Sequence, residues 1–336
     1  MKRIVSGIQP TGDLTLGNYI GALRNFIELQ NQYESYFFVA DLHALTTGSV
    51  NPKELEQARK NTVALYLACG LDPQKATLFY QSSIVEHSQM MWLCNSEVTV
   101  GELERMTQFK DKSQKLTQSN GTVKIPSNLL MYPVLMAADI LIYNADLVPV
   151  GEDQIQHLEL TRNIAQRLNK RYKMDLKIPN GFVPQIGAKI KSLVVPSQKM
   201  SKSDKNKKGT IFLLEDPEVA YKKILKAVTD SEGKVYISEE KPGILNLLTI
   251  YASIKNISLE EAEWIFKDSN YKEFKEAVAL VVKDLLISIQ SKYQDALTQV
   301  EQVIEQGKIK AQLIARNTLN KMQINIGLYG EKHESK

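Results

Sequence analysis

Residues 3–29 read RIVSGIQPTGDLTLGNYIGALRNFIEL, and this stretch decides the fold. The apolar segment Arg3–Ile8 predicts a buried β-strand. Four glycines and a proline follow between Gly7 and Gly21, and apolar residues at helical spacing then predict a helix over 18–29. A strand, a glycine-bearing turn and a helix start together present free backbone N–H groups and the positive end of the helix dipole. The stretch therefore indicates an anion or nucleotide site, although a structural turn that binds nothing gives the same pattern.

The order of strand and helix continues through the first two thirds of the chain. Further strands are predicted at 36–41, 76–81 and 147–151, and helices at 52–69, 87–96, 127–144 and 152–172. Strands separated by helices of this length are typical of βαβ units, with a parallel sheet covered by helices on both faces. The predicted fold class is therefore α/β, with a Rossmann-like parallel-sheet nucleotide-binding domain.

Strand patterns stop near residue 210, and the remainder of the chain predicts helices. Their predicted ranges are 216–227, 241–253, 259–267, 271–296 and 297–322. We expect two domains, a Rossmann-like catalytic domain over 1–210 and a helical domain over 211–330, with the last helix packing back on the first domain. The polar stretch 112–124 predicts a surface loop.

Length and composition limit the class of protein. The chain has 336 residues, of which 43% are hydrophobic and 24% charged, as in ordinary globular proteins. We find no apolar run long enough to span a bilayer and no signal peptide, so we expect a cytoplasmic protein without a membrane partner. Cys69 and Cys94 are the only cysteines and form no CxxC pair, which argues against a cysteine-based zinc or iron–sulfur site. A net charge of +4 is compatible with a polyanionic partner without requiring one.

A second motif, KMSKS at 199–203, opens the segment 199–208, which contains five lysines. Taken alone, such a run is usually a solvated loop. The opening glycines match neither the dinucleotide-binding pattern nor the P-loop. Together with PTG at 10–12 and TLGN at 15–18, however, KMSKS resembles the two signature motifs of class I aminoacyl-tRNA synthetases.

Three further segments extend this resemblance over nearly the whole chain: GELERMTQFK at 101–110, MAADIL at 136–141 and VPVGEDQIQHLELTR at 148–162. They are similar to the tryptophanyl branch of the family. The resemblance implies activation of L-tryptophan by ATP with Mg²⁺, transfer to the cognate tRNA, anticodon reading by the helical domain, and a homodimer with helices around 86–110 at its interface. Two alternatives stay open: a tyrosyl-type or other adenylate-forming enzyme of the same superfamily, and a non-catalytic RNA-binding paralogue.

The chemistry of activation explains why lysines matter. A carboxylate attacks the α-phosphorus of ATP and pyrophosphate leaves, so catalysis depends on positioning and on positive charge near the phosphates. Lys199 and Lys202 can meet the leaving group, and Ser201 and Ser203 can donate hydrogen bonds. The resemblance adds Thr15 and Asn18 to catalysis and the following residues to ATP binding: Gln9, Pro10, Thr11, Gly17, Gly151, Glu152, Asp153, Ile190 and Met200. Further charge could come from residues whose alternative is a solvated helix face: Arg105, Lys110 and Lys112.

Asp139 is the only acidic residue in the apolar helix predicted over 127–144. A carboxylate in such surroundings needs a hydrogen-bond donor, and a structural partner within the protein is one reading. The resemblance instead matches Asp139 to the residue that accepts the indole N–H. It also assigns a group of residues to the tryptophan pocket: Val5, His43, Gln108, Tyr132, Met136, Val148, Val150 and Gln154.

Two of these pocket residues carry a reservation. His43 could equally be a structural histidine with its own partners, and it receives no acid–base role. Members of the branch often have a large aromatic side chain where this chain has Val5, so the packing of the substrate ring on that side stays open. No protein-bound metal is implied.

Overall fold

The computed structural model describes residues 1–10, 13–47, 50–115, 124–151, 154–182, 189–201 and 206–329. Within these residues the centre of the molecule is a parallel sheet of five strands in the order β3–β2–β1–β4–β5. The strands are β1 (Arg3–Ile8), β2 (Glu34–Val39), β3 (Ala76–Tyr80), β4 (Leu147–Pro149) and β5 (Asn180–Phe182). This arrangement confirms the predicted α/β class with a Rossmann-like sheet.

Strand β1 lies between β2 and β4, and this is where the strand order reverses direction. Arg3 is opposite Glu34 in the β1–β2 pair, and Ile4 is opposite Leu147 in the β1–β4 pair. The carboxyl ends of β1 and β4 are therefore neighbours. In open parallel sheets the crevice beyond such a reversal point is where ligands bind.

Helices cover both faces of the sheet and form the rest of the described chain. They are α1 (Leu16–Asn18), a π-helical turn (Tyr19–Leu23), α2 (Arg24–Leu29), α3 (Asp41–Ala44), α4 (Pro52–Ala68), α5 (Glu86–Asn95), α6 (Val100–Glu104), α7 (Thr107–Lys115), α8 (Ser127–Leu141), α9 (Ile155–Tyr172), α10 (Pro217–Leu225), α11 (Pro242–Lys255), α12 (Leu259–Phe266) and α13 (Tyr271–Ile326). No helix in the described ranges has both the length and the apolar character needed to cross a membrane.

Local sequence signals explain helix α4 at both ends. The Asn51 side chain accepts hydrogen bonds from the N–H groups of Lys53 and Glu54, and Pro52 occupies the first turn. Gly70 follows the last turn with φ of 111°, a conformation that glycine adopts without strain. The predicted start and stop of this helix are confirmed to within one residue.

Two predictions about secondary structure were wrong, and one strand was missed. The two helices predicted at 271–296 and 297–322 are one continuous helix, α13, because no glycine or proline interrupts the apolar pattern at that point. The loop predicted at 112–124 begins later, since α7 continues through Lys115; residues 116–123 lie outside the described ranges. Strand β5 was not predicted, because it has only three residues, two of them exposed.

Helix α13 links the two hydrophobic clusters that lie on opposite faces of the sheet. Its residues from Phe274 to Ile304 join one cluster, and those from Ala311 to Met322 join the other. Between them, Gly307 crosses the outer edge of β3 so closely that a Cβ there would lie 1.7 Å from the Leu78 carbonyl oxygen. The last helix is thus packed against the sheet, and a domain division at residue 210 stays a prediction.

Candidate functional site

Two cavities open at the carboxyl ends of β1 and β4. Their volumes are about 640 Å³ and about 300 Å³. Ser6 and Gly7 of β1, together with residues 149–151 at the end of β4, line both of them. A shared wall of this kind allows two ligands to approach one another, one from each cavity.

Gly7 has a steric reason to be glycine. A Cβ built at this position would lie 2.6 Å from the ring of Phe38, which is its partner across the β1–β2 pair. Phe38 and Val5 both line the smaller cavity. An aromatic residue of β2 thus belongs to the cavity in which the sequence left the packing around Val5 open.

The smaller cavity brings together every residue that the sequence assigned to tryptophan. They are Val5, His43, Gln108, Tyr132, Met136, Asp139, Val148, Val150 and Gln154. Gln9, assigned to ATP, also lines this cavity, and Gly151 lines both cavities. These side chains come from distant parts of the chain and meet because α7 and α8 pack beside the carboxyl ends of β1 and β4.

Asp139 is 2% exposed and is held by three side-chain donors. His87 Nδ1 lies 2.6 Å from Oδ1, and His43 Nε2 lies 2.8 Å from Oδ2. Gln81 Nε2 donates to both oxygens at 2.8 and 2.9 Å. The carboxylate thus has partners within the protein, which was one of the two readings from the sequence. Asp139 also lines the cavity.

The balance of forces on Asp139 favours its charged form. Burial is the largest influence and raises its pKa, but hydrogen bonds from His43 and His87 outweigh burial and lower the pKa to about 2. His87 is itself fully buried, and its Nε2 lies 2.8 Å from the Tyr143 hydroxyl. Because a carboxylate only accepts, His87 must donate to it from Nδ1.

Of the three donors to Asp139, only His43 lines the cavity. It belongs to the short helix α3, and its backbone carbonyl accepts a hydrogen bond from Gln9 Nε2 at 3.0 Å. Both sequence readings of His43 are thus met at once, since it is a wall residue with a structural partner. Gln81 and His87 were missed by the sequence reasoning, although Gln81 directly follows β3 and the carboxyl end of a strand was the available signal.

Polar side chains around Tyr132 also line the smaller cavity. The Tyr132 hydroxyl donates to Gln108 Oε1 at 3.1 Å and lies 2.7 Å from His157 Nε2. The Lys112 ammonium is 5.1 Å from the centre of the Tyr132 ring and lines the same cavity. Lys112 therefore belongs to the site, whereas Arg105 and Lys110 do not line either cavity.

The larger cavity is formed by both halves of the chain. Gly21 and Ala22, in the π-helical turn, line one side, and residues of α11 line the other. Lys189 and Lys191 also line it. The sequence reasoning did not single out these two lysines, and their alternation in AKIKS was the signal available. An anion in this cavity would meet positive charge and glycine-bearing backbone.

The two signature motifs are in contact. Thr15 and Asn18 form a capping box at the start of α1, in which each side chain accepts a hydrogen bond from the backbone N–H of the other. A Cβ on Gly17 would lie 3.7 Å from the Cβ atoms of both Ile190 and Met200. The glycine turn at the amino terminus thus packs directly on the KMSKS segment.

The beginning of KMSKS is held by backbone hydrogen bonds. The Met200 N–H donates to the Ile190 carbonyl at 2.9 Å, and the buried Thr210 hydroxyl donates to the Ser201 carbonyl at 3.0 Å. Lys199 is exposed, and Pro10 is buried just beyond β1. Five predicted ATP-site residues lie outside the described ranges: Thr11, Glu152, Asp153, Lys202 and Ser203. Among the described residues, no group of three or more His, Cys, Asp or Glu side chains could hold a metal ion.

Comparison with known proteins gives one consistent result. Residues 1–287 match the family model described as tRNA synthetases class I (W and Y). A tryptophan–tRNA ligase of Mycoplasmopsis pulmonis is 57% identical over 327 residues, which cover 97% of this chain and 98% of that protein.

Solved structures agree with this match. A crystal structure of tryptophanyl-tRNA synthetase from Mycoplasma pneumoniae superposes with a TM-score of 0.91 at 42% identity and covers 98% of both chains. A second, from Campylobacter jejuni and complexed with ADP and tryptophan, has a TM-score of 0.79 at 30% identity and covers 97% of this chain and 99% of that one.

Proposed function

Because the chain belongs to the class I tRNA synthetases for tryptophan and tyrosine, we propose that its two cavities are the two substrate sites of one active centre. The chain is an aminoacyl-tRNA ligase that activates L-tryptophan with ATP and transfers it to tRNA. The observation that supports the proposed site most strongly is the shared wall at Gly7 and residues 149–151. It would allow the amino-acid carboxylate and the α-phosphate to meet.

The smaller cavity is proposed to bind tryptophan. Apolar side chains of Val5, Met136 and Val148 would contact the indole ring, and Asp139 would accept its N–H. The carboxylate accepts from three donors, and a carboxylate offers about four acceptor sites, so it can also accept the indole N–H. Of the three donors only His43 itself lines the cavity, so it would lie nearest to the bound ring.

The polar part of this cavity is proposed to bind the ammonium and carboxylate groups of tryptophan. Tyr132, Gln108 and Gln154 carry the hydrogen-bonding groups there, and Lys112 brings a positive charge. Val150 completes the wall next to Gly151. This orientation would direct the carboxylate of tryptophan toward the shared wall.

The larger cavity is proposed to bind ATP, with Mg²⁺ carried by its phosphates. Gly17, Asn18, Gly151 and the backbone of Ile190 would surround the nucleoside, with Gln9, Pro10, Thr11, Glu152 and Asp153 completing the site. The KMSKS residues Lys199, Met200, Ser201, Lys202 and Ser203, with Thr15, would contact the triphosphate. Lys189 and Lys191 add positive charge on the same side.

The reaction needs no nucleophile from the protein. The tryptophan carboxylate attacks the α-phosphorus, pyrophosphate leaves with the electron pair of the broken bond, and the lysines stabilise the charge that develops. The tRNA ribose 2′-hydroxyl then attacks the acyl carbon, and AMP leaves. A site that pairs the indole N–H with a buried carboxylate rejects analogues that leave this carboxylate without its donor.

The helical region over 211–330 is proposed to read the tRNA anticodon, and 1–210 to be the catalytic domain. We also propose a cytoplasmic location. These assignments follow from family membership.

A homodimer is proposed through the face that α5 and α13 form together. Glu86 at the start of α5 pairs with Arg316 of α13, so the two helices are neighbours. Trp92 is 76% exposed on α5, and Leu313 is 65% exposed on α13. Large apolar side chains at this exposure are typical of interaction surfaces. Sedimentation should give a dimer that Trp92→Asp dissociates, whereas Trp264→Asp, at the other exposed tryptophan, should leave it intact; a monomeric wild type would refute this surface.

The function is tested by amino-acid-dependent exchange of pyrophosphate into ATP. We expect exchange with tryptophan and none above background with the other nineteen amino acids. Exchange with tyrosine in place of tryptophan would assign the chain to the tyrosyl group, and no exchange with any amino acid would refute the enzymatic function.

A further inference from the structure

Asn246 of helix α11 binds the backbone of the segment that leads into KMSKS. Its side-chain oxygen accepts the Lys191 N–H at 2.7 Å, and its amide nitrogen donates to the Lys191 carbonyl at 3.0 Å. Asn246 is 4% exposed, and both residues line the larger cavity. A side-chain amide that bonds to both the N–H and the carbonyl of one residue fixes the position and the orientation of the backbone at that residue.

Lys191 in turn is joined to Lys199. The two residues form an antiparallel bridge, flanked by hydrogen bonds from Met200 N–H to the Ile190 carbonyl and from Ser192 N–H to the Gln198 carbonyl, each 2.9 Å long. The segment 190–200 is therefore a small hairpin. Its second arm carries the first lysine of KMSKS, and its first arm is held by Asn246.

Two further hydrogen bonds attach the hairpin to the rest of the chain. The Leu193 N–H donates to the Gly209 carbonyl at 3.0 Å, and the Leu193 carbonyl accepts from the Val228 N–H at 2.8 Å. These bonds fix the middle of the hairpin. Asn246 acts at the open end of the hairpin. There Ile190 and Met200 pack against Gly17.

We propose that Asn246 is a positioning residue for adenylate formation. Asn246 belongs to α11 and bonds to the backbone of Lys191. Through this residue it would hold Lys199 and Met200 in place at the proposed ATP site. The inference rests on the proposed function of the larger cavity and adds a residue outside both signature motifs. Loss of the two Asn246–Lys191 hydrogen bonds should slow the step that uses the KMSKS segment. The tryptophan cavity should be unchanged, because Asn246 does not line it.

The test compares three variants by active-site-titrated rates of adenylate formation. Asn246→Ala removes both hydrogen bonds, and Asn246→Asp keeps the acceptor but replaces the donor with an oxygen that faces the Lys191 carbonyl. Ser253→Ala is the matched control, because Ser253 is also a buried polar residue of α11 but lines neither cavity.

We expect both Asn246 variants to lower kcat/KM for ATP by about tenfold to a hundredfold, the scale of a small misplacement of catalytic groups. Their tryptophan affinity should stay within twofold of wild type, as should all constants of Ser253→Ala. Rates for Asn246→Ala within threefold of wild type, or an equal loss of tryptophan binding, would overturn the inference. A wild-type chain without tryptophan-dependent exchange would instead refute the proposed function, and this inference with it.

Discussion

Replacing Asp139 by asparagine tests how the smaller cavity selects tryptophan. The amide has the size of the carboxylate but lacks its charge and half of its acceptor capacity. Alanine is the less informative change, because it would leave the buried donors of His43, His87 and Gln81 without an acceptor. At about 1–3 kcal/mol each, those losses are comparable with the whole stability of a domain, ~5–15 kcal/mol.

The expected magnitude follows from the bond that is weakened. A hydrogen bond to a charged group contributes about 1.5–3 kcal/mol, and each ~1.4 kcal/mol is a factor of ten. Asp139→Asn should therefore lower kcat/KM for tryptophan by about tenfold or more. An analogue with sulfur in place of the indole N–H has no proton to donate, so its kcat/KM should fall less. The preference for tryptophan over this analogue should shrink accordingly.

Pyrophosphate exchange with both substrates, on wild type and variant, is the assay. Met136→Leu is the matched control, since Met136 lines the same cavity one turn away on α8 and contributes no strong hydrogen bond. Thermal melts of all three proteins establish that the folded state is intact. If Asp139→Asn keeps the wild-type preference for tryptophan over the sulfur analogue, Asp139 does not select the substrate and its role is structural.

Three further outcomes are expected. Lys202→Ala should slow adenylate formation by ~10²–10³ without changing tryptophan affinity, and a rate within threefold of wild type in rapid-quench measurements would contradict its role. Gly307→Ala should lower the free energy of unfolding in urea, because a Cβ 1.7 Å from the Leu78 carbonyl oxygen forces α13 away from β3; the overpacking of about 1–3 kcal/mol exceeds the gain of ~1 kcal/mol in helix propensity, and unchanged stability would refute this. Lowering of the Asp139 pKa from 3.8 to about 2 stabilises the fold by about 2 kcal/mol above pH ~4, and this contribution is lost as the pH falls toward ~2. Urea unfolding across that range should thus show a smaller acid loss for Asp139→Asn than for wild type, and parallel curves would count against it.

Sequence signals predicted those parts of the fold that are determined locally. Strand β1 and helix α4 are marked by apolar periodicity, by Asn51 and by Gly70, and they were placed to within a residue. The π-helical turn Tyr19–Leu23 and strand β5 have no such signal, because they are determined by packing against distant residues. The continuity of α13 did have a sequence signal that the prediction overlooked, since no glycine or proline stands near residues 296–297 to end a helix there.

The candidate site divides in a similar way. The nine residues assigned to tryptophan line the smaller cavity, whereas of the described residues assigned to ATP only Gly151 lines the larger one. Their individual roles stay predictions. The partners of Asp139 could not be read from the chain, because His43 and His87 are 96 and 52 positions away from it. Lys191 and Asn246 were missed for the same reason, since their pairing exists only once α11 packs beside the segment 190–200.

The crossing of α13 over β3 has a consequence for how the chain is made. Leu78 leaves the ribosome long before Gly307, 229 positions later. At translation rates of about 5–20 residues per second, the outer edge of the sheet is without its cover for on the order of 10–45 s. An uncovered strand edge can pair with other chains. We therefore expect this edge to stay exposed until the last fifth of the chain is synthesised. A truncation before α13 should yield an aggregating product rather than a smaller active enzyme.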